Sequence, residues 1–235
     1  TTMDYLNTLE VTWLDNHLLR YFTEEESPVE PHDFEELSFT KGQDLFHEGH
    51  TPQGLYYLNS GIVKICKHGV DGKEQIIKLA KKGQFIGYKE LLLDIRYTNS
   101  AVAFDNTVVF FLPKHYFMDS INTNGKISSE FNTMLSRDLI ETENKLLDIV
   151  QRPVRGRLAQ LLMSFSDEGP AGIGLSPIVC SFTRQDLANM IGTVKETVTR
   201  VLTEFKNENL ITTNGRKIQV INTAGLDRIV NMYEC

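Results

Sequence analysis

Lys195, Glu196, Thr199 and Arg200 fall within the run KETVTR and share the polar side of a 3.6-residue period. Their types can read DNA. An arginine fork matches the two acceptors on the major-groove edge of a guanine, and a carboxylate accepts from a cytosine amino group. A threonine methyl meets that of thymine. Arg200 is accordingly assigned to a guanine, Glu196 to a cytosine and Thr199 to a thymine methyl. Arg184 and Lys195, near helix starts, are assigned to phosphates, with Thr183 and Gln185 beside them. In the alternative reading Glu196 only pairs with Arg200 and orders it.

Such residues work only if a rigid frame presents them. Leu187, Ala188 and Ile191, then Val194, Val198, Val201 and Leu202, are spaced to form one apolar junction between two short helices. Thr183 is a plausible N-cap, with Asp186 three residues on, close to a capping box. Gly192 sits where the first helix must end. Beyond the second helix, Leu210-Ile211 and Ile218-Gln219-Val220 flank Asn214-Gly215, which reads as two short strands around a tight turn. The whole is a winged helix-turn-helix, whose second helix enters a major groove.

The segment TRQDLANMIGTVKETVTRVLTEFKNENLI closely resembles the DNA-binding domain of the catabolite-activator/FNR superfamily of bacterial transcription regulators, and Glu196 to Arg200 is its most specific piece. The resemblance covers almost the whole chain and weakens in the first thirty or so residues.

A chain of 235 residues accommodates two cores, and 41% hydrophobic with 23% charged residues is ordinary for a globular protein. The net charge of −7 looks wrong for a DNA binder, but it is unevenly spread. Residues 152–235 carry ten Lys and Arg against eight Asp and Glu, whereas residues 1–151 carry fourteen against twenty-three. The acidic excess therefore lies far from the DNA-reading segment, where it leaves room for a locally basic face. No apolar run reaches the length of a membrane span and no signal-peptide pattern opens the chain, so a cytoplasmic location without membrane partners is expected. Cys66, Cys180 and Cys235 are scattered, which argues against a structural zinc site or a disulfide framework.

Upstream, the period changes. Leu6, Leu9, Trp13, Leu14, Leu18 and Phe22 form one face at helical spacing. From Phe34 to Leu112 short alternating runs are separated by Lys41-Gly42, Glu48-Gly49, Ser60-Gly61, Asp71-Gly72 and Lys82-Gly83, which indicates a small antiparallel β-roll. Residues 126–150 read as one long helix. Leu135, Leu139, Thr142, Leu146 and Ile149 recur along it at heptad spacing between charged neighbours, a seam suited to a homodimer. Pro153 ends that run and is placed at a hinge. A new helix follows through Val154, Leu158, Leu161, Leu162 and Phe165, then a Gly- and Pro-rich loop from Asp167 to Pro177. The expected organisation is α+β: residues 1–125 as N-terminal helix and β-roll, 126–151 as dimerisation helix, and 152–235 as winged helix-turn-helix.

The resemblance implies that the β-roll has the cyclic-nucleotide-binding fold and senses or once sensed a small molecule. Members that bind cyclic AMP hold its phosphate with a Gly-Glu-Leu segment and an Arg-Ser pair. The similar stretch here is FIGYKELLLDIRYTNSAVA. Gly87 and Ser100 match, the glutamate is displaced to Glu90, and Asn99 stands where the arginine should be. Thr142 matches a threonine that touches the purine, and its neighbour Glu143 replaces a serine. Arg96 or Lys89 would have to supply the missing cation if the loop folds back. The Gly87–Ser100 stretch reads equally as a strand-and-turn relic that holds no ligand. The cysteine cluster of oxygen-sensing members has no counterpart. No cofactor or metal is expected; a cyclic nucleotide stays open as a ligand but is disfavoured by Asn99 in place of the phosphate-binding arginine. The implied partners are double-stranded DNA, a second copy of the chain, a small effector and, for an activator, RNA polymerase. Two other readings remain open: a cupin-like metal enzyme using His47, Glu48 and His50, and a nucleotide-sensing subunit that does not bind DNA. Nothing else in the sequence has catalytic spacing.

Overall fold

The computed structural model describes residues 31–165, 179–180 and 182–232, together with Phe22 and Val29. The helical face from Leu6 to Leu18 and the Asp167–Pro177 loop lie outside the described residues. The chain divides into two compact units, Thr1–Leu139 and Ile140–Cys235.

In the first unit a 3-10 turn, Pro31–Asp33, precedes β1 (Glu35–Phe39), β2 (Asp44–Phe46), β3 (Gly54–Ser60), β4 (Ile62–His68), β5 (Glu74–Lys81) and β6 (Phe85–Ile86). A short helix, α1 (Tyr88–Leu93), leads to β7 (Ser100–Ala103) and β8 (Thr107–Pro113). The strands form two antiparallel four-stranded sheets, ordered β1-β8-β3-β6 and β2-β7-β4-β5. Asp71-Gly72 makes the β4–β5 hairpin, where the Gly69 and Gly72 amides close the turn. The five turn glycines expected from the sequence, at 42, 49, 61, 72 and 83, all have positive φ.

β3 shows why this sequence makes a roll under a helical cover. Successive side chains of a strand point to opposite faces, and here both faces are apolar. Tyr56 and Leu58 enter a core with Phe46, Val63, Ile86, Tyr97 and Val109, while Leu55 and Tyr57 enter a second core with Phe22, Phe34, Phe85, Phe110, Phe117 and Phe131. Helix α2 (Lys114–Thr123) and the long helix α3 (Gly125–Gln151) supply Phe117 and Phe131 to the second core.

The segment between Gly87 and Ser100, open in sequence as strand and turn, is helical as far as Leu93. Gly87, at φ 83°, turns the chain into α1, and Asp94 ends the helix in a left-handed conformation, with its amide donating to the Leu91 and Glu90 carbonyls. The two residues Tyr88-Lys89, which displace the glutamate, form the first turn of that helix.

In the second unit α3 stops at Gln151 and α4 (Val154–Ser164) begins after Pro153, which has extended ψ of 153° and caps the new helix. Strand β9 (Val179–Cys180) precedes α5 (Arg184–Ile191) and α6 (Lys195–Asn207). The hairpin β10 (Ile211–Asn214) and β11 (Lys217–Val220) and the helix α7 (Thr223–Asn231) complete the unit. The second edge of β11 pairs with β9, so the wing is a three-stranded sheet. β9 is two residues long and too short to show a period, whereas α7 carries Leu226, Ile229 and Val230 at helical spacing behind the cap Asn222, a signal the sequence reading passed over.

Candidate nucleic-acid interface and sensor site

Helix α5 starts with a complete capping box. The Thr183 side chain accepts from the Asp186 amide at 3.0 Å, and the Asp186 carboxylate accepts from the Thr183 amide at 2.9 Å. The Thr183 hydroxyl is thus engaged in setting the helix start. Gly192 ends α5 at φ 66°, a left-handed position that glycine adopts without strain. Its amide donates to Ala188.

Leu187, Ala188, Ile191, Val198, Val201 and Leu202 are buried and lock α5 against α6. Val194, expected in the same junction, is 54% exposed. The reason is local: it is the extended N-cap residue of α6, one position before the helical period begins.

On the other side of α6, Lys195, Glu196, Thr199 and Arg200 are all exposed. The Thr199 hydroxyl donates to the Lys195 carbonyl at 2.9 Å and is thus engaged within the helix. Arg200 donates through Nη1 to Glu204 Oε1 at 2.6 Å, so its partner is Glu204 and not Glu196. Arg184 is half-buried at the first helical position of α5, and exposed Gln185 donates to Asn189 Oδ1 at 2.7 Å. The wing adds two cations that the sequence reading passed over. Arg216 and Lys217 are exposed at the tip of the β10–β11 hairpin, directly after Asn214-Gly215. Two adjacent cations at a tight turn were the available signal.

Behind the turn between the two helices lies a strap. Arg157 Nη1 donates to the carbonyls of Ile149 and Arg152, both at 2.9 Å, and Nη2 reaches the Gly192 carbonyl at 3.4 Å. A cation here meets the negative end of α3, where carbonyls lack helical partners. Arg152 in turn donates to Asp148 at 2.7 Å and to the Val230 carbonyl at 2.8 Å.

Among the residues matched to the phosphate-holding stretch of cyclic-AMP binders, here called the cassette, Glu90 and Asn99 come together. Glu90 is 3% exposed; one carboxylate oxygen accepts from the Thr98 hydroxyl at 2.7 Å and from Asn99 Nδ2 at 3.2 Å. Ser100 is buried, and its hydroxyl accepts from the Glu48 amide at 3.0 Å. The two proposed substitutes for the arginine point to other tasks. Arg96 is exposed and donates to the Gly49 carbonyl at 2.9 Å, and the charge of Lys89 acts on Asp138. Tyr97 stacks on Phe46 with ring centroids 3.8 Å apart. Its hydroxyl is buried without a hydrogen-bond partner among the described residues, and a Cβ on Gly87 would lie 3.4 Å from it. Burial, with the neighbouring Tyr56 and Glu90, pushes this phenol above its ordinary range, so it stays protonated.

One hydrogen-bonded group ties α1 to the long helix. The Tyr88 hydroxyl donates to Asp138 Oδ2 at 2.6 Å, and Lys78 pairs with the other oxygen. Burial opposes ionisation of Asp138, but the Lys78 and Tyr88 hydrogen bonds and the charges of Lys78 and Lys89 outweigh it and hold the carboxyl below its ordinary range.

Along α3 the expected seam divides. Leu135 packs partly against the aromatic core of its own unit. Leu139, Leu146 and Ile149 are exposed, as is Thr142. Ile140, Leu147 and Val150, which the heptad reading did not include, are exposed too and widen the apolar face.

His47 lies 3.4 Å from Asp44 and its ring centroid 5.4 Å from that of His50, but among the described residues no three His, Cys, Asp or Glu side chains are arranged to hold a metal ion. Among the described residues no helix is long and apolar enough to cross a membrane.

Comparison with known proteins supports both halves of this description. The profile of the cyclic nucleotide-binding domain matches residues 36–124, and that of the Crp-like helix-turn-helix domain matches residues 156–229. The chain is 28% identical over 180 residues to the cAMP-activated global transcriptional regulator CRP of Salmonella typhimurium, covering 76% of this chain and 86% of that protein. It is 25% identical over 193 residues to the CRP-like cAMP-activated global transcriptional regulator of Mycobacterium tuberculosis, covering 82% and 86%. A CRP/FNR-family transcriptional regulator from Thermus thermophilus shares its fold, with a TM-score of 0.72, 23% identity, and coverage of 85% of this chain and 100% of that one.

Proposed function

The chain belongs to the Crp/Fnr superfamily and is a DNA-binding transcription regulator, and from that premise we propose that it acts as a homodimer on a palindromic operator without needing cyclic AMP. Arg200 donates to a guanine, Glu196 accepts from a cytosine, and Thr199 meets a thymine methyl. Lys195, Arg184, Arg216 and Lys217 hold phosphates and set the register. The observation that carries this reading is the face of α6, where four residues of DNA-reading chemistry stand exposed on a helix locked from behind by buried Val198, Val201 and Leu202. The exposed apolar face from Leu139 to Val150 supports a two-fold dimer. Half-sites then have centres about 34 Å apart, one helical turn of DNA.

The residues of the cassette do not suit a cyclic phosphate. Such an anion needs a cation, and hydrogen bonds to charged partners contribute about 1.5–3 kcal/mol each. Asn99 is neutral, and it and Thr98 already serve the buried Glu90 carboxylate. With Asn99 in place of the arginine, no cation paired with Glu90 among the described residues would offset the charge of a phosphate there. The unclaimed Tyr97 hydroxyl beside Gly87 favours an effector with an uncharged hydrogen-bonding group. The DNA-competent arrangement is therefore held by the chain itself, through the long helix and the Arg157 strap. The test is selection of bound fragments from random DNA, with and without a panel of cyclic nucleotides, alongside titration calorimetry with cyclic AMP. An inverted repeat recovered without any nucleotide is expected. Micromolar or tighter cyclic AMP binding that switches on DNA affinity would overturn the reading.

A further inference from the structure

The first helix of the DNA-reading unit reaches across to the face of α6. Arg155, on α4, donates through Nη1 to Glu204 Oε2 at 3.1 Å and through Nη2 to both oxygens of Glu208, at 2.8 and 2.6 Å. Its guanidinium also lies over the Phe205 ring, 4.9 Å from the centroid. The other oxygen of Glu204 holds Arg200. Four charged side chains thus form one line, Glu208–Arg155–Glu204–Arg200, that starts on α4 and the end of α6 and finishes at the residue assigned to a guanine.

An isolated exposed pair one helical turn apart contributes little, because two long side chains must be held in one geometry. This one differs in two respects. Glu204 is gripped on both oxygens, and Arg155 is itself fixed by Glu208, whose two oxygens both accept from Nη2, and by an aromatic face. Arg155 also offsets the negative charge of Glu204, which on its own would draw Arg200 back from an anionic ligand. Glu204 engages only Nη1 of Arg200, so the Nε–Nη2 edge stays free among the described residues for two acceptors on one base edge.

We propose that Arg155 is a positioning residue for base recognition, which sets the Arg200 fork through Glu204 and so sharpens discrimination at one base pair of each half-site. The proposal rests on the reading that Arg200 contacts a base. Arg155 touches no DNA in it; its effect passes through the carboxylate. Sequence spacing does not show the line, because Arg155 and Glu204 are far apart in the chain.

The experiment measures binding of the full-length protein to the selected operator, to the same operator with each base pair replaced in turn, and to unrelated DNA. The variants are Arg155→Met, which keeps a long apolar stem over Phe205, Glu204→Gln, Arg200→Ala, and the double variant Arg155→Met with Arg200→Ala. Arg155→Met is expected to lower discrimination at the Arg200 position by about three- to tenfold, the coupling of residues in one network. Discrimination at other positions and affinity for unrelated DNA should change less than about twofold. Glu204→Gln should reproduce the effect, and in the Arg200→Ala background Arg155→Met should add nothing. Equal weakening on every operator, or an undiminished loss in the double variant, would show that Arg155 only braces the fold and would overturn the proposal while leaving base reading intact. Arg200→Ala relaxing no base pair would remove the reading beneath it and the proposal together.

Discussion

The face of α6 and the cassette around Gly87 are both short runs of polar residues, and they use their polarity in opposite directions. On α6 the side chains of Lys195, Glu196, Thr199 and Arg200 stand in solvent, while the hydrophobic half of the same helix is buried. In the cassette Glu90, Asn99 and Ser100 are buried and satisfy one another or the backbone. Buried polar groups are costly unless paired, so a polar cluster turned inward serves the fold first. A polar cluster that is exposed and rigidly backed remains available to a partner. That contrast separates a cluster spent on the fold, around Glu90, from the face of α6 that we propose reads DNA.

The sharpest way to break the comparison is to remove the second copy of α6 that the proposed homodimer supplies. Leu139→Asp places a carboxylate on the exposed apolar face of α3, where Leu139 is 60% exposed and so contributes little to its own unit. The variant is expected to fold, to sediment as a monomer, and to lose operator affinity by about 100-fold or more, because two half-sites no longer bind as one. Sedimentation as an unchanged dimer would move the interface away from this face.

How much of this was legible depended on whether a feature is local. The capping box at Thr183 and Asp186, the αL position of Gly192 and the Asp71-Gly72 hairpin are each set by residues within a few positions, and all three are found as read. The apolar junction was legible apart from Val194, which the helical period claims and the extended N-cap conformation excludes. The stretch from Gly87 to Asp94 is where a strand-and-turn pattern fails. The Tyr88-Lys89 insertion breaks that pattern, and six residues make a helix that buries Tyr88, Glu90 and Leu91. Long-range pairings could not be read. Neither the Arg155–Glu204 contact nor the Arg157 strap to Gly192 leaves a spacing in the sequence, since the partners meet only when separate helices pack.

If the cassette polar groups serve the fold, removing one should cost stability in the absence of any ligand. Glu90→Ala leaves buried Asn99 with only its long 3.4 Å bond to the Thr98 hydroxyl, and a poorly met buried hydrogen-bonding group costs about 1–3 kcal/mol. The expected result is a lower Tm for the first unit in thermal unfolding, with operator affinity of the folded protein changed less than about threefold. Unchanged stability together with altered operator binding would reverse the assignment and make Glu90 a signalling group.

The smallest expected effect concerns the link between the cassette and the long helix. Asp138 accepts from Tyr88, the first residue of α1, and from Lys78, and it stands on α3 one residue before the exposed seam begins. Its carboxyl is held below the ordinary carboxylate range, despite the burial that opposes its charge. The folded state therefore favours the ionised form more than the unfolded chain does. That contribution is complete above the unfolded-state pKa, about 4, and is lost as pH falls through the lower folded value. Asp138→Asn keeps the size and one acceptor but not the charge, so the variant should be less stable by about 1–2 kcal/mol at pH 7. Thermal unfolding of both proteins from pH 7 downward should show the two Tm values converging below about pH 4. A gap that stays constant over that range would mean that Asp138 acts through shape alone, and the tie between α1 and α3 would then be one of packing and not of charge.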